Sequence, residues 1–262
     1  MLSAHQLHAL VAFAFLSTVP SCQYIFGIED VNGDRENCPI RGDTNSAALF
    51  SFEEEPQNNI QLANSVSTYP GHVRGADITS VPSLDGCGNG YEFSDASESY
   101  VEVVHAEPLA LASGSLELFL RTPPDKIDFA AVLARDSIGT DGGDFVMALT
   151  SEDRLLVRMQ AQDPWNDVML CSDVLEFGTW YHVVVNFGEL VELYVDGRAS
   201  TFTGQVTFTN DPHDCGKTQA LGFDGNMNDW IVGAYNGGGD IRYFLKRAAI
   251  DELHISSSRQ VF

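Results

Sequence analysis

Apolar and polar residues alternate with a period of two along most of the chain, and that period predicts strands. In Ser115–Arg121, Leu116, Leu118 and Leu120 fall on one face. Phe145–Leu149 and Leu155–Met159 flank Ser151-Glu152-Asp153, which reads as a hairpin turn. Val191, Leu193 and Val195 alternate with Glu192, Tyr194 and Asp196, and Asp196-Gly197 follows as a second turn. Gly178–Val185 is a run of β-formers, and Gly237-Gly238-Gly239-Asp240 is a further breaker. No stretch holds a helical period and no internal repeat is visible. Many short strands with turn-forming spacers predict an all-β, antiparallel sandwich or barrel, forming one domain over residues 47–262.

The N-terminal part reads differently. Residues 1–21 contain no Asp, Glu, Lys or Arg, and Ala9–Leu16 is an unbroken apolar run too short to cross a bilayer. The run leads through Thr18-Val19-Pro20-Ser21 to Cys22, which resembles a bacterial signal peptide ending in a lipobox. Two features depart from that pattern: no basic residue precedes the apolar run, and Pro20 sits inside the box. A secreted soluble protein is the alternative. The expected layout is a signal peptide over 1–21, a lipidated Cys22 with a polar tether over 22–46, and the β-domain. Gln23 after the cysteine points to delivery to the outer membrane. Arg41-Gly42-Asp43 in the tether is a tripeptide common enough by chance to carry no weight.

Five cysteines stand at positions 22, 38, 87, 171 and 215. Setting Cys22 aside leaves four, the even count of a disulfide framework in an oxidising compartment. Three pairings are possible, and we favour Cys38–Cys87 with Cys171–Cys215. The absence of any C-x-x-C pair argues against a zinc ribbon or a thioredoxin-like site. The formal charge of −23 opposes partnership with nucleic acid or anionic lipid headgroups. It leaves a lipid anchor as the only expected membrane contact.

Several segments together carry a family likeness. Leu49–Glu53 resembles an opening strand, and Gly90–Ser94 through Ser99–Val103 an "F-x-G…Y-V-x-V" segment. Gly114–Arg121 resembles a strand ending in an aromatic near a proline. Gly178–Val183 matches "W-x-H-V", Leu193–Gly197 matches "L-Y-V-D-G", Ile231–Gly233 matches "I-G", and Ile250–Ile255 a closing strand. The ordered set resembles a laminin G-like domain of the concanavalin A-like lectin/glucanase superfamily, in its bacterial pentraxin-like branch, over residues 47–257. That likeness implies a jelly-roll sandwich of two curved antiparallel sheets, with first and last strands adjacent.

Some members of that superfamily are glycosidases with alternate carboxylates on one strand. No such spacing occurs here. Asp251 and Glu252 are adjacent and expected on opposite faces, and no G-x-S-x-G or H-E-x-x-H motif is present. The reading is therefore non-enzymatic. The resemblance instead implies a calcium site with Asp251 on the closing strand as first ligand and Glu53 as second, since hard cations take oxygen donors. The alternative is that Asp251 only bonds neighbouring backbone. Asp224–Asp229 is a weaker cation loop, lacking the glycine and the bidentate Glu of an EF-hand. Trp165 and Trp230 are the candidate sugar platforms, whereas Trp180, His182 and His254 read as structural. The expected function is a non-catalytic binding or adhesion module for glycan or extracellular protein at the cell envelope, with calcium as the possible cofactor. A structural envelope protein is the alternative, and a carbohydrate-active enzyme comes last.

Overall fold

The computed structural model describes residues 40, 42–84, 88–96, 98–136, 144–160, 167–216, 227–237 and 240–262. The signal peptide, the lipobox, Cys22, Cys38, Cys87 and Trp165 lie outside these described residues. In chain order the strands are β1 (Ser46–Phe50), β2 (Gln61–Leu62), β3 (Gly71–Arg74), β4 (Ile78–Pro82), β5 (Asn89–Phe93), β6 (Tyr100–Val103), β7 (Gly114–Arg121), β8 (Ala130–Arg135) and β9 (Phe145–Leu149). They continue with β10 (Arg154–Gln160), β11 (Asp167–Val174), β12 (Trp180–Phe187), β13 (Glu192–Val195), β14 (Arg198–Ala199), β15 (Gln205–Phe208), β16 (Asp211–Asp214), β17 (Trp230–Val232) and β18 (Ala249–Ser256). A single turn of 3-10 helix spans Glu107–Leu109. Among the described residues no helix is long and apolar enough to cross a membrane.

Two antiparallel sheets stack face to face. The first runs β14-β13-β12-β7-β18-β5-β4, with β1 also on β18; the second runs β11-β10-β9-β8-β17-β6-β3-β2. Alternation explains the core. Leu116, Leu118 and Leu120 of β7, Val183 and Val185 of β12, and Ile250, Leu253 and Ile255 of β18 meet Val101, Val103, Phe145, Met147, Leu155 and Val157 from the other sheet. Burying one such side chain contributes roughly 1.5–3 kcal/mol. The Asp196-Gly197 turn has φ of 49° and 70°, the paired positive values that a two-residue hairpin loop with the strands' own twist requires.

The outer face of the second sheet carries its own apolar layer, with Val146, Ala148, Leu156 and Met169 under Val206 and Phe208 of the β15–β16 hairpin. Cys171–Cys215 staples that hairpin down across 44 residues of chain. In the chain-entropy account a loop of that length is worth about 4 kcal/mol. This is one of the two expected disulfides.

First and last strands pair, as the resemblance implied, with Phe50 opposite Leu253 and Ala48 opposite Ile255. The domain also begins earlier than its expected boundary. Ile40, assigned to the tether, is buried against Leu49 and Phe119, because those two side chains leave an apolar patch on the outer face of the first sheet. Asp43 and Ser46 close a local turn there, in which the Asp43 amide donates to Ser46 Oγ at 2.7 Å.

Candidate functional site

The closing strand is not a continuous alternation. Residues 249–250 of β18 pair with β5, residues 253–256 pair with β1, and the register on β7 slips between Asp251 and His254. Glu252 takes φ 54° at the slip, an unusual conformation for a non-glycine residue inside a strand. Ile250 and Leu253 therefore both face the core, three residues apart where unbroken alternation would put them on opposite faces. The bulge sets Asp251 opposite Phe119 of β7, where the end of β1, the start of β5 and the closing strand converge.

Two glycines make room for carboxylates at this junction. A side chain at Gly90 would come within 2.8 Å of the Ile250 carbonyl and 3.0 Å of Asp251 Cβ. A side chain at Gly88, which has φ 94°, would fall 1.9 Å from Glu53 Oε1. Glu53 follows β1 and accepts a hydrogen bond from the Asn89 amide at 3.2 Å. Asp251 has no exposed surface. Its Oδ2 accepts a short hydrogen bond from Ser83 Oγ, while its Oδ1 is buried with no hydrogen-bond partner. Burial, abetted by the Glu252 and Glu53 charges, pushes the Asp251 carboxyl up to about 8 against the pull of the Ser83 hydroxyl and the Glu252 amide. Among the described residues no group of three or more His, Cys, Asp or Glu is arranged to hold a metal. A cation at this point would draw on Asp251, Glu53 and backbone or hydroxyl oxygens.

The same outer face carries a buried Glu117 between two histidines. His182 Nε2 lies 2.7 Å from Glu117 Oε1, and His254 Nδ1 lies 3.3 Å from Oε2. His254 Nε2 is 2.7 Å from Ser46 Oγ. Burial alone would raise Glu117, but the hydrogen bonds from His182 and then His254 outweigh it and hold the carboxyl below its ordinary value. Both histidines are buried within the sheet and bonded to this carboxylate. Trp180 is not an inter-sheet core residue; it is half-buried on the outer face with the Arg121 guanidinium 5.7 Å over its ring.

Trp230 requires a correction. It is 1 % exposed, packed 5.5 Å from the Phe145 ring with the buried Arg135 guanidinium 4.6 Å over its face. A sugar cannot stack on it. The strand Trp230-Ile231-Val232 lies between β6 and β8 in the middle of its sheet, so this side chain has only the core to enter.

Aromatic faces are presented elsewhere, in a groove of about 520 Å³ lined by Phe129, Tyr243, Phe244, Lys126, Lys246 and Arg247, with Asp95 and Asp128 at its edge. Phe129 and Tyr243 meet edge to face at 5.1 Å, and Phe129 packs likewise on Phe208 of the stapled hairpin. The backbone around them is pinned: the Ala131 amide donates to the Tyr243 carbonyl at 2.8 Å, and the Arg247 amide donates to Phe93 at 2.7 Å. Arg247 grips Asp125 through two contacts of 2.5 and 2.8 Å. The sequence reasoning missed this groove, because it is assembled from three separated segments. Its one linear trace is the run Arg242–Arg247, with three basic residues and no acidic one in a strongly acidic chain.

Two stacked antiparallel sheets with adjacent terminal strands define a jelly-roll of the lectin type. A laminin G-type family model, described as the concanavalin A-like lectin/glucanases superfamily, matches residues 95–258. The chain belongs to that superfamily. No curated protein sequence matches it significantly. Among solved structures it is similar to the binding domain of Paraclostridial Mosquitocidal Protein 1, with TM-score 0.56, 12% identity, and coverage of 82% of this chain and 50% of that one. It is similar to Trypanosoma rangeli sialidase in complex with the inhibitor DANA, with TM-score 0.56, 12% identity, and coverage of 92% and 35%. It is also similar to domain 4 of AbnA, an extracellular arabinanase of Geobacillus stearothermophilus solved with arabinotriose, with TM-score 0.51, 15% identity, and coverage of 81% and 92%. The chain thus spans about half the length of the mosquitocidal binding domain. Identities this low establish the shared fold.

Proposed function

We propose that the chain is a non-catalytic glycan-binding module whose sugar site is the groove of Phe129, Tyr243 and Phe244. One observation carries the reading: half-buried aromatic faces, held by backbone hydrogen bonds, stand beside ionic side chains in a concavity of about 520 Å³. Aromatic faces pack against the apolar faces of sugar rings, and flanking carboxylate, ammonium and guanidinium groups exchange hydrogen bonds with hydroxyls. The arabinanase domain solved with arabinotriose and the toxin binding domain support the reading by their fold.

A calcium ion held by Asp251 and Glu53 belongs to the same proposal. The partnerless buried Oδ1 of Asp251 is the feature that fits a hard cation, and the ion would tie the closing strand to the end of β1. Cys22, once acylated, would display the module on the outer membrane, and Trp165 is a second aromatic to test as a contact.

A glycan array followed by calorimetry tests the proposal. Saturable binding that falls at least tenfold in Phe244→Ala, with an unchanged melting temperature, is the expected result. Binding to no glycan leaves the structural envelope role, and release of reducing sugar from any polysaccharide would restore the enzyme. Mass spectrometry of the mature N-terminus reads the anchor directly.

A further inference from the structure

We infer that the ridge of residues 173–178 is a protein-docking surface whose partner is a peptide segment with a central apolar pair flanked by lysine or arginine. The inference is independent of the glycan reading. Val174 ends β11, the edge strand of the second sheet, and is 59 % exposed; Phe177 is 47 % exposed. Between them Leu175 is buried and lines two hollows. One hollow sets Phe177 beside Pro123, Ile127 and Leu149, and the other, of about 240 Å³, sets Val174 beside Tyr181 and Val195. A lone exposed apolar side chain is ordinary, but two of them flanking concave apolar walls mark an interaction surface.

The ridge is held rigid. The Leu175 amide donates to the Asp153 carbonyl at 2.8 Å, the Glu176 amide to Tyr181 Oη at 2.7 Å, and the Gly178 amide to the Pro123 carbonyl at 2.8 Å. Thr122 Oγ1 donates to the Glu176 carbonyl at 2.6 Å. Backbone already fixed loses little freedom on binding, so burying Val174 and Phe177 goes directly into affinity.

Charge selects the partner. Asp153, Asp173, Glu176 and Asp196 rim the ridge, and among the described residues none of them has a Lys, Arg or His nitrogen within 4.0 Å. Asp125 is committed to Arg247, and Lys126 lines the aromatic groove instead. Arg198 is the one cation lining either hollow among the described residues, and Arg154 is turned over the Phe202 ring at 3.6 Å. This acidic rim repels an anionic lipid surface, and it repels the same ridge on a second copy of a chain of −23. Basic side chains around an apolar centre complement it.

The probe is a labelled hexapeptide, Lys-Lys-Leu-Trp-Lys-Lys, followed by fluorescence anisotropy at physiological ionic strength beside a Lys-Lys-Ser-Ser-Lys-Lys control. The wild type is compared with Val174→Ser/Phe177→Ser; both side chains are exposed, and a melting curve confirms that the variant folds. Saturable binding of the first peptide should fall about tenfold or more in the variant, and as much when the peptide loses its apolar pair. Asp173→Asn with Glu176→Gln should weaken binding severalfold and flatten its salt dependence. No binding of the Leu-Trp peptide, or equal binding by wild type and serine variant, overturns the proposal. So does pelleting with phosphatidylcholine vesicles, or concentration-dependent dimerisation, that the serine variant abolishes, since the ridge would then serve a lipid surface or a second copy.

Discussion

Replacing Asp251 with Asn is the most informative single perturbation. In the folded chain the side chain has no exposed surface, and burial pushes its carboxyl up to about 8 from an ordinary 3.8. In the unfolded chain the group ionises near 4. Between those limits the folded state holds the proton and the unfolded state has lost it, so stability falls as pH rises through this window. Each pH unit costs about 1.4 kcal/mol, which puts the full penalty on the order of 5 kcal/mol at pH 8 as an upper figure. Asn keeps the shape and an oxygen for Ser83, and it does not titrate. Urea denaturation in the presence of a chelator, from pH 5.5 to 8, is the assay. The wild type should lose several kcal/mol relative to Asp251→Asn across that range, and the difference between the two removes the contributions of the histidines and of the general acidity. Saturating calcium should then stabilise the wild type by about 3 kcal/mol at a hundredfold excess over Kd and leave the variant unmoved. Parallel profiles in chelator would refute the buried-carboxyl argument, and equal calcium stabilisation of both proteins would refute Asp251 as a ligand.

Other positions make separate demands. Glu117→Gln removes a buried carboxylate from between His182 and His254 and should cost about 1.5–3 kcal/mol at neutral pH, the worth of hydrogen bonds to a charged group. Because Glu117 is held below its ordinary value, its contribution is present above about pH 4.5 and lost as pH falls further; the wild-type advantage in acid denaturation should vanish there. Trp230→Ala should cost about 3–5 kcal/mol in chemical denaturation, since it empties the contact with Phe145 and uncovers Arg135. Intact folding with loss of glycan binding alone would contradict its place in the core. Cys171→Ser with Cys215→Ser should lower stability by roughly 4 kcal/mol and expose the β15–β16 hairpin to limited proteolysis. Unchanged cleavage would show that the hairpin is held by Phe208 and Val206 without the staple.

Which features were legible in the sequence follows from how far each depends on neighbours along the chain. The leucines of β7, the turn at Glu152-Asp153 and the hairpin at Asp196-Gly197 are local patterns, and the structure keeps each of them. The pairing of β1 with β18 came through the family likeness and not through any local signal. The bulge at Glu252 left no mark, because the chain places a glutamate where a glycine would have announced a positive φ. Trp230 misled because a tryptophan after a polar Asn-rich turn reads alike on a rim and in a central strand; only the pairing with β6 and β8 decides. The groove was illegible for the opposite reason. Its residues come from positions near 95, 126–130 and 243–247, and no periodicity joins them. What the sequence did hold was an imbalance: basic residues gathered at 242–247 in a chain of −23. The fold gives those residues their partners only at long range: Arg247 binds Asp125, Lys246 faces Asp95, and Arg242 packs over Tyr235 and Tyr243. Neither of the two acidic partners lies within the run's own neighbourhood in the sequence, so the pattern could be seen there but not explained.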